Sequence, residues 1–315
     1  MKMQPTNFKS ETMKTFCYRQ TLLNLTLAGF LALGLLAGCQ TPSTATAPAR
    51  TQLGTIPEIH PELGLGMLQG YLASSNLPNS LILIPPPPLP GSAAYALDLE
   101  VAANTFALRD TPRFKLAESD FDLKLPHFIN DFSCALGVEI TPTNAPYLYN
   151  LLCRSFTDIG MSTYAAKNYY KRQRPFQVNG EPLAAPEARD FLSKDPSYPS
   201  GHTALGWGFA LILSEIAPDR DNEILARGRA FGESRIVCNH HWYSDVVWGR
   251  FMGAAVVARL HADPTFAADL AAAKTEYAAL RAQGVTPACD CNAEAAALAL
   301  GFQATNGVQQ VEQLK

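Results

Sequence analysis

Three short stretches of this chain carry side chains whose types and spacing suit the handling of a tetrahedral anion. They are Lys167-x6-Arg174-Pro175, Pro199-Ser200-Gly201-His202 and Ser234-Arg235-x5-His241-x3-Asp245. Between them they offer three cations, a hydroxyl beside a glycine, two histidines and a carboxylate. Cations and N–H groups can hold the oxygens of such an anion while one imidazole receives a phosphoryl group and another moves a proton.

Each stretch has a chemical and a plain structural reading. Lys167 and Arg174 are seven positions apart, nearly two helical turns, so a helix would present both on one face. The plain alternative is a solvated basic face that includes Lys171 and Arg172. Ser200 and Gly201 open an apolar run, so backbone N–H groups at a helix start could meet an anion there, with His202 at the edge. Ordinary capping by Ser200, with His202 a bystander, is the alternative. Asp245 lies four positions after His241, where it could fix the ring's tautomer and stabilise the cation formed on attack. A helix-capping histidine with an unrelated acid is the alternative. His240 and His241 are neighbours, and neighbouring helical side chains point ~100° apart, which argues against joint metal chelation.

Taken together, the order and spacing of the three stretches resemble the phosphatidic-acid-phosphatase type 2 superfamily. Within it the chain looks like the bacterial class A non-specific acid phosphatases, over roughly Leu65 to His261. The proline-rich Ile84–Ser92 stretch and Gly232-Glu233-Ser234-Arg235 add to the likeness. The resemblance implies that His241 attacks phosphorus, that Asp245 orients it, and that His202 protonates the leaving alkoxide. It implies that Lys167, Arg174, Ser200, Gly201 N–H and Arg235 hold the equatorial oxygens. It further implies no metal or other cofactor, small phosphomonoesters as substrates, acidic activity, inhibition by phosphate or vanadate, and a possible homodimer. His240 departs from the pattern, standing where a bulky or aromatic residue is often seen. Two other readings fit the same pocket: a vanadium-dependent haloperoxidase and a non-catalytic phosphate-binding lipoprotein. Chain length and the class A features count against the haloperoxidase.

The elements that must position these groups read as helices, and the expected fold is an all-α single domain. Helices are expected over Ala93–Arg109, Asp120–Leu136, Asn144–Arg172, His202–Ile216, Asp221–Arg235, Ser244–His261 and Pro264–Gln283. Ser92 should cap the first of them. Ser80–Ile84 is the one convincing extended apolar run, and the polyproline stretch after it should lie extended on a surface.

The start of the chain has the pattern of an export signal. Lys2, Lys9, Lys14 and Arg19 precede the apolar Leu22–Leu36, and Leu36-Ala37-Gly38-Cys39 has the form of a lipobox. Initiation at Met13 would leave enough basic residues for the same purpose. The expected organisation is a signal peptide over 1–38, a Thr/Pro/Ala-rich stalk over 39–56, the catalytic domain over 57–285 and a fraying tail over 286–315. The expected location is the periplasm, with a lipid on Cys39 tethering the chain to the outer membrane; free periplasmic or secreted protein is the alternative.

From Cys39 onward 277 residues carry 21 basic and 27 acidic side chains, with no basic tract to suggest nucleic acid. No uncharged apolar run after Leu36 is long enough to span a bilayer. Five cysteines follow Cys39, an odd number for an oxidising compartment. Cys134 and Cys153, on neighbouring expected helices, are the candidate bridge, and Cys238 reads as a small buried apolar residue.

Overall fold

The computed structural model describes residues 53–301. The expected signal peptide, the expected lipobox at Cys39 and most of the expected stalk lie outside the described residues. Among those residues the structure is helical, and the only strand-like pairing is an isolated bridge between Glu58 and Leu68.

The helices in chain order are α1 (Ser80–Leu83), α2 (Ala93–Thr105), α3 (Pro112–Ser119), α4 (Leu125–Asn130), α5 (Ser133–Leu136), α6 (Pro146–Met161) and α7 (Tyr164–Tyr170). Then come α8 (Pro175–Val178), α9 (Arg189–Lys194), α10 (Gly201–Ile216), α11 (Asp221–Val237), α12 (Tyr243–Leu260), α13 (Pro264–Ala282) and α14 (Cys291–Ala299). Helix α10 is apolar on most faces because it is central: α6, α11 and α12 all pack against it. Phe128, Phe209 and Phe231 form its aromatic neighbourhood, with ring centroids 4.5 Å and 5.0 Å from Phe128.

Two glycines on α12 set how closely the site's helices approach. A Cβ on Gly249 would stand 2.6 Å from the Ser200 carbonyl oxygen, and one on Gly253 would stand 2.5 Å from the Ala204 carbonyl oxygen. Only glycine allows this contact, and it brings the middle of α12 against the start of α10.

The structure corrects several expectations. Ser80–Ile84 is a helical turn, not a strand, because the Asn79 side chain accepts the Leu81 N–H and caps it. The expected Asp120–Leu136 helix is two short ones, α4 and α5. The long Asn144–Arg172 helix divides into α6 and α7. At the break, Ser162 Oγ donates to the Ile159 carbonyl and Thr163 Oγ1 to the Gly160 carbonyl, so hydroxyls compete with the helical ladder.

Cys134 pairs with Cys291, not Cys153, which is buried and free. Cys134 lies on α5 and Cys291 opens α14, so the bridge ties the expected tail to the domain. Helix α14 also packs on α3, and Glu294 approaches Arg227 at 3.5 Å. Cys289 is an exposed free thiol and Cys238 a buried one. Among the described residues no helix is long and apolar enough to cross a membrane.

Candidate active site

The nucleophile candidate sits in a tight connection between α11 and α12. Asn239 takes a left-handed conformation (φ 59°), which Asn tolerates better than most residues. Its side-chain amide donates to the Glu181 and Pro182 carbonyls, pinning the turn. The N–H groups of His240 and His241 both donate to the Arg235 carbonyl. His241 therefore precedes α12 rather than riding on it. Asp245 stands in the first turn of α12 and accepts the Trp242 N–H at 2.9 Å, closing the helix start.

His241 Nδ1 lies 3.3 Å from Asp245 Oδ2 and 3.3 Å from Ser197 Oγ. Ser197 Oγ also donates to Asp245 Oδ2 in a very short hydrogen bond. A carboxylate facing Nδ1 selects the tautomer with the proton there, which leaves Nε2 with the lone pair a nucleophile needs. Nε2 is 3.0 Å from Arg174 Nη1.

Arg174 reaches His241 from a different direction than the sequence suggests. Helix α7 stops at Tyr170, and Lys171 turns left-handed (φ 47°). The expected shared helix face does not exist: Lys167 is on α7, while Arg174 lies beyond it in extended chain before Pro175. The two cations meet through Asp195 instead. Its Oδ2 is 3.2 Å from Lys167 Nζ and 2.6 Å from Arg174 Nη2. Lys167 Nζ also donates a short bond to the Pro196 carbonyl. Burial pushes Lys167 down to about 8; Asp195 opposes this and Arg174 adds to it.

On the α10 side, Ser200 caps the helix. Its Oγ accepts the Thr203 N–H at 3.2 Å and the Thr203 hydroxyl at 2.9 Å. The capping reading is thus realised, and it leaves the Ser200 hydroxyl proton for an anion. Gly201 is the first residue of α10, so its N–H belongs to the unpaired set at a helix start. His202 Nε2 is 3.1 Å from the Phe121 carbonyl, and the Phe121 ring stacks on His202 at 5.6 Å. Nδ1 is then the nitrogen left for proton exchange.

Arg235 is fully buried on α11. Nη2 donates to the Ala117 carbonyl at 2.6 Å, but Nε and Nη1 have no hydrogen-bond partner among the described residues. His240 Nε2 is buried without one as well. Ser234, its sequence neighbour, does not join the site. It donates to Asp120 Oδ2 at 2.6 Å, and Arg227 grips the same carboxylate at 2.5 Å. That buried cluster fixes the chain beside Phe121.

The histidines share one electrostatic environment. Burial first, then Arg174, Lys167 and Arg235, hold His241 well below the ordinary histidine range. Burial and Arg235 do the same to His202, partly opposed by the Phe121 carbonyl. Burial, then Arg235 and Arg174, lower His240. The histidines resist protonation because they are buried first and surrounded by cations second, and those cations suit an anion.

Sequence reasoning missed Asp98, Arg172, Ser197, Asp195 and Phe121. Arg172 Nη1 is 2.6 Å from Asp245 Oδ1, and Nη2 is 2.7 Å from Asp98 Oδ2. Ser197 flanks the second motif and was within reach of a wider reading; Asp98 is 74 positions from its partner, with no local signal.

The sequence signature of the PAP2 superfamily matches residues 146–267. A non-specific acid phosphatase of Providencia stuartii is 42% identical over 212 residues, covering 67% of this chain and 86% of that protein. An acid phosphatase of Zymomonas mobilis is 40% identical over 211 residues, covering 66% and 78%. A non-specific acid phosphatase of Salmonella typhimurium is 41% identical over 199 residues, covering 63% and 80%.

Proposed function

The chain belongs to the PAP2 superfamily, and from that premise we propose that it hydrolyses phosphate monoesters through a phosphohistidine on His241. The observation that carries the mechanism is the two-sided grip on one ring: Asp245 on Nδ1 and Arg174 beside Nε2.

His241 Nε2 attacks phosphorus as Arg174 Nη1 shifts from the ring nitrogen to a phosphoryl oxygen. Asp245 accepts the growing positive charge of the ring across Nδ1–H. Arg235 Nε and Nη1, the Ser200 hydroxyl and the Gly201 N–H receive the remaining oxygens, and Lys167, linked to Arg174 through Asp195, adds positive charge. The bond to the leaving oxygen breaks, and that oxygen takes a proton from His202. Water then attacks phosphorus, His202 takes a proton from it, and phosphate leaves with His241 restored.

The depressed histidines explain why acid favours this cycle. His241 stays unprotonated, hence nucleophilic, well below ordinary histidine values. His202 is neutral for the same reason and needs its proton from elsewhere. A phosphomonoester carries one below its second pKa of about 6, and the bound anion's charge makes His202 easier to protonate. Vanadate, of similar shape, should compete with substrate.

The test is turnover of p-nitrophenyl phosphate in EDTA by the protein and by His241→Ala. Hydrolysis by the parent and none by the variant is expected. Equal turnover by both removes His241 from the mechanism. The leader supports a second proposal, export and lipid attachment at Cys39. Cys39→Ser should move the protein from the membrane to the soluble fraction; an unchanged distribution contradicts lipidation.

A further inference from the structure

The carboxylate that orients His241 is itself held by a buried ionic array. Asp245 is completely buried, as is Asp98 on α2, and the Arg172 side chain between them is 8% exposed. Arg172 Nη1 meets Asp245 Oδ1 at 2.6 Å and Ser244 Oγ at 2.8 Å, while Nη2 meets Asp98 Oδ2 at 2.7 Å. Asp98 also accepts the Ser244 N–H at 2.7 Å and the Ser244 hydroxyl at 2.7 Å, so it is fastened to the first turn of α12. Asp245 Oδ2 faces the other way, to Ser197, Trp242 N–H and His241.

The charges decide what this array can do. A guanidinium against Asp245 alone would hold it firmly but cancel the negative charge that the His241 cation requires. A second carboxylate on the same guanidinium changes the sum: Asp98 balances Arg172, and one negative charge remains on Asp245. Phosphoryl transfer then places a positive ring beside that charge.

We propose that Asp98 and Arg172 are positioning residues for the reaction: Arg172 fixes Asp245, and Asp98 neutralises Arg172 so that Asp245 keeps its charge for His241. The proposal rests on His241 being the nucleophile. Burial works against the Arg172 charge, but Asp245 and then Asp98 outweigh it, so the guanidinium is more firmly cationic than a free arginine. Trp242 and Tyr198 flank it, with ring centroids 5.5 Å and 6.0 Å from its carbon, which leaves it little room to turn away.

The two residues should therefore move the histidine in opposite directions. The other charged or titratable groups around His241 are Lys167 on α7, Arg174 before α8, Asp195 after α9, His202 on α10, Arg235 on α11, and His240 and Asp245 around the start of α12. Of these, only Asp245 is hydrogen-bonded to Arg172, and none is hydrogen-bonded to Asp98, so changes at the two residues reach His241 through Asp245. In Asp98→Asn the unbalanced Arg172 charge disfavours the protonated ring, so the acid limb of kcat/KM moves to lower pH. In Arg172→Gln the uncompensated Asp245 charge favours it, and the limb moves to higher pH.

The experiment is the pH profile of p-nitrophenyl phosphate hydrolysis by the full chain and by Asp98→Asn, Arg172→Gln, Arg172→Lys and His241→Ala. Displaced limbs of opposite sign are expected, with kcat lowered about 10- to 100-fold by loss of alignment. Arg172→Lys should keep the parental limb, having the charge, but lose kcat, having no fork to span two carboxylates. If Arg172→Gln fails to fold, Asp98→Asn and Arg172→Lys give the answer. Parental profiles, or limbs moving the same way, overturn the proposal while His241→Ala remains inactive. Activity in His241→Ala overturns the nucleophile assignment instead.

Discussion

Arg174 and Arg235 are both buried guanidiniums assigned to phosphate oxygens on sequence grounds, yet the structure treats them differently. Every nitrogen of the Arg174 side chain has a protein partner: the Leu192, Asp195 and His240 carbonyls, the Asp195 carboxylate and His241 Nε2. Arg235 has one carbonyl, the Phe121 and Phe231 rings, and two nitrogens with no hydrogen-bond partner among the described residues. An unpaired buried cationic donor is costly to maintain. The difference separates two duties. On the proposed mechanism Arg174 builds the site and aligns His241, with phosphate as an additional partner, and Arg235 is reserved for the anion.

The largest expected effect splits that pair. Arg235→Gln should lower kcat/KM about 1000-fold, as loss of a transition-state donor does, with denaturant stability unchanged or raised. Arg174→Gln should lose activity comparably and also about 3–5 kcal/mol of stability, because it leaves the buried acceptors around it unpaired. Equal stability losses in chemical unfolding would erase the distinction.

Next in size is the carboxylate between the cations. Asp195 pairs with Lys167 and Arg174, the cations proposed for phosphate, so Asp195→Asn should tighten inorganic phosphate inhibition about 10-fold by removing a like charge. Weaker inhibition would instead make Asp195 a support for the two cations. The same change bears on the alkaline limb of kcat/KM. Lys167 at about 8 is charged below that pH and loses its charge above it, so kcat/KM should fall through that region. Asp195 raises the lysine value, hence Asp195→Asn should move the limb to lower pH. A limb that stays in place would detach it from Lys167.

The smallest effect concerns Phe121, whose ring lies against both His202 and Arg235. Phe121→Leu keeps the carbonyl on His202 Nε2 but loses the stacking, and should lower kcat about 3- to 10-fold. An unaltered kcat would limit the ring to packing.

How much was legible in the sequence follows from where the partners lie. The three motifs pointed to a candidate site because each is short and its chemistry local: a capped helix start, a cation, a histidine with an acid four positions on. The apolar length of α10 and the Ser92 cap, whose Oγ accepts the Tyr95 N–H, were local too. Asp98, Arg172 and Asp195 act on groups 21 to 74 positions away, which no periodicity encodes. The shared face for Lys167 and Arg174 failed because Lys171 ends α7 before Arg174 is reached. The bridge from Cys134 to Cys291 spans 157 positions and depends on a terminal helix that composition alone made look frayed.

The central claim is that His241 carries the phosphoryl group. Rapid quenching of the protein with a 32P-labelled monoester, kept at alkaline pH and followed by peptide mapping, tests it directly. Label on His241, stable in base, lost in acid and absent from His241→Ala, is the predicted result. Burst kinetics with label on another residue, or turnover with no labelled protein at any time, would contradict it.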